Sequence, residues 1–109
     1  MKTENIGQLY QLWQPEQDPT RLAVLGKAIE ESSELIKELA RCIIQGFEAS
    51  HPETGEPNRC ALADELDDME ALIHLIREKF QIEPCSERQF KKIQMQRRWY
   101  ADISKMNQP

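Results

Sequence analysis

Two short acidic segments contain the residues of this sequence that could do chemistry. They are EESSE, which begins at Glu30, and ELDD, which begins at Glu65. Each contains two carboxylates three residues apart, Glu31 with Glu34 and Glu65 with Asp68, and in a helix that spacing lets both side chains reach one point above the surface. Two such pairs on neighbouring antiparallel helices would form the oxygen-rich, negative cage that Mg²⁺ or Mn²⁺ prefers.

Helix signals surround both segments. Proline and glycine interrupt the chain at 14–20, 46–58 and 82–86, and no stretch alternates apolar and polar residues as a strand would. The sequence therefore predicts an all-α protein with one domain at residues 1–109 and an extended inter-helix loop at 46–58. A chain of this size exposes much of each long helix, so we expect a four-helix bundle that is completed by dimerisation. The predicted helices cover residues 3–13, 19–45, 58–80 and 86–105.

Local sequence signals mark the ends of these helices. Asp18 before Pro19 is typical of a helix start, and Gly46 is typical of a helix end. Asn58 is predicted to cap the third helix. The segment SERQ, beginning at Ser86, has the form of a capping box for the fourth.

The apolar stripe of the second helix places the first acidic segment away from the expected core. At about 100° per residue, one face collects most of the large aliphatic residues, and we expect that face to be buried. Glu30, Glu31 and Glu34 fall on the far side. Periodicity alone therefore predicts an ordinary solvated acidic face. The stripe consists of Leu22, Leu25, Ile29, Ile36 and Ile43.

The third helix places a carboxylate where solvent is not expected. Glu65 falls about 50° from the centre of its apolar face, and Asp68 lies about 60° further round. A carboxylate in an apolar sector carries a large desolvation cost unless a cation or hydrogen bonds compensate it. Glu65 should therefore pair with a lysine or arginine, bind a metal ion, or line a wet cleft.

Composition limits the classes of partner. The net charge of -5 argues against binding of a nucleic-acid polymer, which requires an excess of basic residues. The three cysteines are an odd number without metal-ligand spacing, so we expect free thiols. No apolar run is long enough for a membrane span, and the first residues lack the apolar core of a signal peptide. We therefore expect a cytoplasmic protein that binds no membrane.

The two acidic segments together resemble a known signature. EESSE has the form E-E-x-x-E and ELDD the form E-x-x-D, and on consecutive helices they resemble the motifs of the MazG-like all-α nucleoside triphosphate pyrophosphohydrolases. DELDDMEALIHLI is similar to the second metal helix of that family, and KKIQMQRRW is similar to its K-x-x-x-N-x-x-R segment near the nucleotide. The resemblance covers residues 22–100. This chain differs in having Gln96 where asparagine is usual, the extra charge of Asp67, and a long connection between the motifs.

The resemblance implies a function and a set of site residues. Members of the family hydrolyse a nucleoside triphosphate to the monophosphate and pyrophosphate with Mg²⁺, and many remove noncanonical nucleotides. They assemble as dimers or dimers of dimers, so a homodimer or homotetramer is expected, with Mn²⁺ as an alternative ion. Glu30 would be the catalytic base or water-orienting group. The implied metal ligands are Glu31, Glu34, Glu65 and Asp68.

Four further residues are candidates for substrate binding. Lys92, Gln96 and Arg97 lie in the segment that resembles the family's nucleotide-contacting helix, although the same residues could form a solvated basic face. Trp13 could stack on a base, or it could be a partly buried core residue.

Other functions stay open on the sequence alone. The chain could be a noncatalytic helical interaction or regulatory module that retains the fold, or a pyrophosphohydrolase acting on a phosphoribosyl compound. Glu48 and His51 form a single E-x-x-H, whereas carboxylate-bridged di-iron bundles need two. A zinc site from Cys42, His51 and Cys60 would have irregular spacing and lack a fourth ligand.

Overall fold

The computed structural model describes residues 14–108, and within this range the protein is all-α. Helix α1 spans Pro19–Gln45, α2 spans Asn58–Phe80, and α3 spans Ser86–Met106. They correspond to the second, third and fourth predicted helices. The predicted helix at residues 3–13 lies outside the described residues, and so does Trp13. None of the described helices is long and apolar enough to cross a membrane.

The predicted ends of α1 are confirmed. Asp18 Oδ2 accepts a hydrogen bond of 2.8 Å from the backbone N–H of Arg21, and Pro19 occupies the first helical turn. Both are favourable because the first N–H groups of a helix have no internal partner and proline has none to satisfy. Gly46 ends the helix with a φ of 102°, a conformation that favours glycine.

The predicted caps of the other two helices are wrong in detail. Pro57 and Cys85 occupy the N-cap positions of α2 and α3, and neither helix has a side-chain cap hydrogen bond. Asn58 is instead the first residue of α2 and 1% exposed, and its Nδ2 donates to the carbonyl oxygen of Gly46 at 2.9 Å. Its backbone N–H donates to the carbonyl of Ala49. Asn58 therefore ties the end of α1 to the start of α2.

Helices α1 and α2 pack against each other as an antiparallel hairpin, whereas α3 packs against neither of them. Two contacts between the helices lie progressively further from the connecting loop, first Ser32 with Met69 and then Arg21 with Phe80. The described part is accordingly elongated, measuring 65 × 36 × 27 Å. No apolar side chain within residues 14–108 is buried. The four-helix bundle and its dimerisation thus remain predictions.

The apolar stripe of α1 does not face α2, which corrects the expected core. Its exposure reaches 71% at Ile29, 65% at Ile36 and 85% at Ile43. A different set of α1 residues faces α2, including Glu31, whose side chain is only 18% exposed. Helix α3 also carries an apolar stripe, and its aromatic and aliphatic side chains are exposed. That stripe consists of Phe90, Ile93, Tyr100 and Ile103.

The hairpin consequently has two chemically different sides. Ser32 Oγ approaches Met69 Sδ at 3.7 Å along one edge of the α1–α2 interface, and Glu31 approaches Glu65 along the other. The side beyond Ser32 carries the exposed apolar stripe, and we call it the apolar side. The side beyond Glu31 carries the carboxylates, and we call it the acidic side. The apolar side comprises Leu22, Leu25, Ile29, Ile36, Ile43, Leu66 and Ile73.

Candidate metal centre

Three carboxylates from the two predicted motifs converge on the acidic side of the hairpin. Glu31 of α1 and Glu65 and Asp68 of α2 each offer an oxygen, and these oxygens all lie within 4.8 Å of one another. Helical periodicity brings Glu65 and Asp68 to one point, and antiparallel packing brings Glu31 to them from the facing helix. Glu31 and Glu65 are half-buried and Asp68 is exposed. A small cation could reach this group from solvent through Asp68.

One oxygen of Glu65 has no partner. Its Oε2 is buried and accepts no hydrogen bond. Within residues 14–108 no lysine or arginine forms an ion pair with this side chain. Of the alternatives expected from the sequence, pairing with a basic residue is therefore not observed in the described chain. A buried carboxylate oxygen without a partner requires a proton or a cation.

The surroundings of Glu65 make its charged form unfavourable. Burial is the largest cause, and it raises the pKa of this carboxyl above its ordinary value of 4.5. Charge repulsion adds to the shift, because neighbouring carboxylates also favour the protonated form. The contributing neighbours, in decreasing order, are Asp68, Glu31, Glu34 and Glu38. A divalent cation would stabilise the charged form of Glu65, because it would bind the unpartnered oxygen and offset the repulsion between the carboxylates.

Glu34 and Glu38 lie beside the three clustered carboxylates. Glu34 is exposed and does not belong to the group of converging oxygens, although it is near enough to raise the pKa of Glu65. Glu38 was missed by the sequence reasoning. It is seven residues after Glu31 and therefore on the same face of α1, and its side chain is 13% exposed and paired with Arg41 at 3.6 Å.

Lys27 forms ion pairs with the first motif. Its Nζ lies 3.3 Å from Glu30 Oε1 and 3.4 Å from Glu31 Oε1. The hydrogen bond to Glu30 and the charge of that residue raise the pKa of Lys27, and Glu31 adds to the effect. Lys27 therefore neutralises part of the charge of Glu31 in the absence of a metal. Glu30 itself is exposed and contributes no oxygen to the converging group.

The predicted substrate-binding residues of α3 are not brought to the carboxylates within one chain. Lys92 and Arg97 are exposed and Gln96 is half-buried, on a helix that does not pack against the hairpin. Lys92 instead lines an open hollow between the end of α2 and the start of α3, together with Arg77 and Arg88.

The oxygen donors fit a hard divalent ion such as Mg²⁺ or Mn²⁺. The unpartnered oxygen of Glu65 is the structural observation that favours this assignment. Across residues 14–108, the three carboxylates are the only group with metal-ligand spacing, so no cysteine–histidine zinc site is formed. His51 has another role: its Nδ1 accepts the backbone N–H groups of Glu53 and Thr54 and shapes the connecting loop. The cysteines are free, as expected.

Comparisons of the chain with protein-family models, with curated proteins and with solved structures found no match. The chemistry of the carboxylates and the resemblance of their motifs are therefore the features that bear on function.

Proposed function

We propose that the protein is a Mg²⁺-dependent nucleoside triphosphate pyrophosphohydrolase of the MazG-like type. The observation that carries the proposal is the convergence of Glu31, Glu65 and Asp68 around a buried oxygen of Glu65 that lacks a partner. These residues belong to the two motifs that resemble the family, and they meet across two helices although they are distant in sequence. Glu34 would complete the metal-binding set, from a position already close to Glu65.

The proposed reaction adds water across the α–β phosphoanhydride bond and releases a nucleoside monophosphate and pyrophosphate. A divalent ion supplies neutralisation of phosphate oxygens and activation of water at such a site. The carboxylates of Glu31, Glu65 and Asp68 would hold it, and the packing of α1 against α2 would set their spacing. The open edge at Asp68 leaves room for the triphosphate to approach.

Glu30 is the proposed acceptor of the proton from water. Glu30 is adjacent to Glu31 in the sequence and contributes no oxygen to the converging group, so metal binding would not occupy it and it could act as a base. Lys27 would hold Glu30 in place through the 3.3 Å contact between Nζ and Oε1. Removal of noncanonical nucleotides is the cellular role that the family resemblance suggests.

Contacts between α3 and the substrate at the carboxylate cluster would require a second copy of the chain. Lys92, Gln96 and Arg97 are proposed to contact the phosphates or the nucleotide, and within one chain α3 does not pack on the hairpin. We therefore propose a homodimer or homotetramer in which these residues approach a carboxylate cluster.

A second candidate function is a noncatalytic helical interaction module. The exposed apolar side of the hairpin favours it, because large apolar surfaces on soluble proteins commonly mark sites of protein association. Such a module has no need of a divalent ion, so metal binding distinguishes the two candidates.

The test of the proposed function is a pyrophosphate-release assay. The full chain is incubated with ordinary and modified nucleoside triphosphates and with a phosphoribosyl nucleotide, each with and without Mg²⁺. We expect Mg²⁺-dependent release that is lost in Glu65→Gln and retained in Asp64→Asn, which removes an exposed carboxylate from the neighbouring position of α2. Failure of every nucleoside triphosphate to turn over would overturn the proposal. Turnover of the phosphoribosyl compound alone would assign a different substrate to the same chemistry.

A further inference from the structure

A small cavity lies on the acidic side of the hairpin, between the carboxylate cluster and the connecting loop. Its volume is about 220 Å³, and its walls on α1 and α2 include Glu38 and Asn58. Glu38 follows Glu31 by seven residues, and Asn58 precedes Glu65 by seven. Because α1 and α2 are antiparallel, both steps run towards the loop. The cavity is therefore displaced from the carboxylate cluster by two helical turns, or about 10 Å, along the same side.

The wall formed by α2 carries a polar atom without a partner. Asn58 is 1% exposed, and its Oδ1 is buried and accepts no hydrogen bond from any residue of 14–108. The other polar atom of this amide is occupied, since Nδ2 lies 2.9 Å from the carbonyl oxygen of Gly46 and 3.4 Å from Gln45 Oε1. These two acceptors fix the orientation of the amide, because the reverse orientation would place oxygen against oxygen. Asn58 can therefore only accept a hydrogen bond from an occupant of the cavity.

The other walls of the cavity supply hydrogen-bond donors. His51 Nδ1 accepts two backbone N–H groups of the loop, so the hydrogen of this imidazole is on Nε2, which can donate. Lys37 and Arg41 add an ammonium and a guanidinium group. Arg41 is paired with Glu38 at 3.6 Å, and the exposed Glu56 completes the charged part of the lining. The cavity thus combines one buried, unpartnered acceptor with several donors.

We infer that this cavity receives the base of the nucleotide and favours a base with an amino group beside an unprotonated ring nitrogen, as in cytosine and adenine. The inference rests on the proposed function. The amino group would donate to Asn58 Oδ1, and the ring nitrogen would accept from a donor such as His51 Nε2. Proteins commonly read a base through hydrogen bonds to this edge. Uracil and hypoxanthine present a carbonyl oxygen in place of the amino group, so they would leave Oδ1 without a partner.

The size and position of the cavity fit a base whose phosphates lie at the carboxylates. Pockets that enclose a whole ligand typically measure about 300–1,000 Å³, and this cavity is smaller. It would therefore enclose one part of a ligand and leave the rest outside. The separation of about 10 Å from the carboxylate cluster leaves space for the sugar and the α-phosphate between the base and the bound ion.

Nucleotide pairs that differ only at this edge test the inference on the full chain. CTP is compared with UTP, and ATP with ITP, in the presence of Mg²⁺. We expect kcat/KM to be higher for the amino-bearing member of each pair by about tenfold or more, because its partner leaves a buried oxygen unpaired. Calorimetric titration with the α,β-methylene analogues of CTP and UTP, which cannot be cleaved between the α and β phosphates, should give the same order of affinities.

Two variants connect the preference to the cavity. Asn58→Ala removes Oδ1 and should bring the ratio of kcat/KM for CTP and UTP close to one, whereas a purely structural defect would lower both values alike. Ala61→Leu fills the cavity from a half-buried position of α2, and Ala63→Leu is the matched control at an exposed position of the same helix. We expect Ala61→Leu to weaken binding of the CTP analogue about tenfold while Mg²⁺ binding is unchanged, and Ala63→Leu to affect neither.

The outcomes separate this inference from the proposed function. Equal or reversed values of kcat/KM within both pairs would overturn the inference and leave the pyrophosphohydrolase activity standing. A preference that persists in folded Asn58→Ala, or equal binding of the CTP analogue by Ala61→Leu and Ala63→Leu, would also overturn it. If no nucleotide is cleaved or bound, the proposed function fails, and this inference fails with it.

Discussion

Glu31 on α1 and Glu65 on α2 bring carboxylate oxygens within 4.8 Å of each other, although 33 residues separate them in the sequence. The facing position of Glu31 contributes to the raised pKa of Glu65, whose Oε2 is buried without a hydrogen-bond partner. Two negative groups held this close destabilise the hairpin unless a proton or a cation lies between them. The proposed binding of a divalent ion and the pH dependence of stability should therefore both depend on this pair.

Divalent metal binding should depend on Glu65. We expect calorimetric titration of the full chain with Mg²⁺ or Mn²⁺ to show binding, and Glu65→Gln to weaken it by more than about tenfold, because even the outer partners of metal ligands typically contribute that much. Asp64→Asn is the matched control, since it removes an exposed carboxylate from the same turn of α2. Equal affinities in the two variants would contradict the assignment of Glu65 as a ligand.

The stability of the metal-free protein should decrease as the pH rises above 4.5. The folded-state pKa of Glu65 is raised above that ordinary value. Between the unfolded and the folded pKa, the native state therefore binds more protons than the unfolded state, and the free energy of unfolding falls with increasing pH. Above the folded-state pKa of Glu65 this loss of stability is complete, and below pH 4.5 it is absent.

Urea denaturation at a series of pH values, with a chelator present, measures this effect. Glu65→Gln has no proton to lose at this position, so its stability should depend less on pH over the same interval. Addition of Mg²⁺ at neutral pH should restore the lost free energy of unfolding, because the carboxylate of Glu65 is then available to the ion. A wild-type curve that coincides with that of Glu65→Gln would show that Glu65 does not titrate as described.

Replacement of Asn58 should destabilise the hairpin at its connection. Asn58→Ala removes the hydrogen bond from Nδ2 to the Gly46 carbonyl and leaves that buried junction unfilled. We expect a loss of about 1–3 kcal/mol in the free energy of unfolding, because the substitution removes a side-chain hydrogen bond and leaves a cavity at a residue that is only 1% exposed. Asn107→Ala, at the exposed end of α3, should change it by less than about 0.5 kcal/mol. Similar losses in the two variants, measured by urea denaturation, would count against a special role for Asn58.

Substitution of Gln81 by glycine should stabilise the end of α2. Gln81 has a φ of 54°, a left-handed conformation, and its backbone N–H donates to the carbonyl of Arg77. Glycine adopts this conformation without steric cost, so Gln81→Gly should raise the free energy of unfolding by about 0.5–1 kcal/mol. Gln81→Ala keeps the Cβ atom and should give no gain. The midpoint of urea denaturation compares the two, and a gain in both would assign the effect to the glutamine side chain instead of the backbone.

Local signals in the sequence predicted where the helices begin and end better than they predicted which faces of the helices are buried. Asp18, Pro19 and Gly46 act on their own backbone neighbourhood, so their consequences can be recognised without knowledge of the fold. Asn58 was misassigned as a cap because its actual partner, the Gly46 carbonyl, is across the loop. Periodicity identified the apolar stripe containing Ile36, but it cannot tell which body covers a stripe. The expected core proved to be an exposed side of the hairpin.

The carboxylates show the same difference between local and tertiary information. Glu65 and Asp68 could be paired from helical spacing alone, whereas Glu31 reaches them through the packing of α1 against α2. Glu38 was not recognised, because its proximity to Glu65 depends on how the two helices face each other. The positions of Lys92 and Arg97 relative to the site depend on α3, which does not pack against the hairpin.

Hydrogen bonds at the base of the loop between α1 and α2 hold the two helices in register independently of the length of the loop. Asn58 and Gly46 close the loop at its base, and the backbone N–H of His51 donates to the carbonyl of Glu56 to form an inner closure. Residues 52–55 lie inside both closures, so a change in their number should leave the two helices in place. The segment at 52–55 is therefore a suitable position for grafting an epitope or a fluorescent probe, which would report on the protein while leaving the spacing of its carboxylates intact.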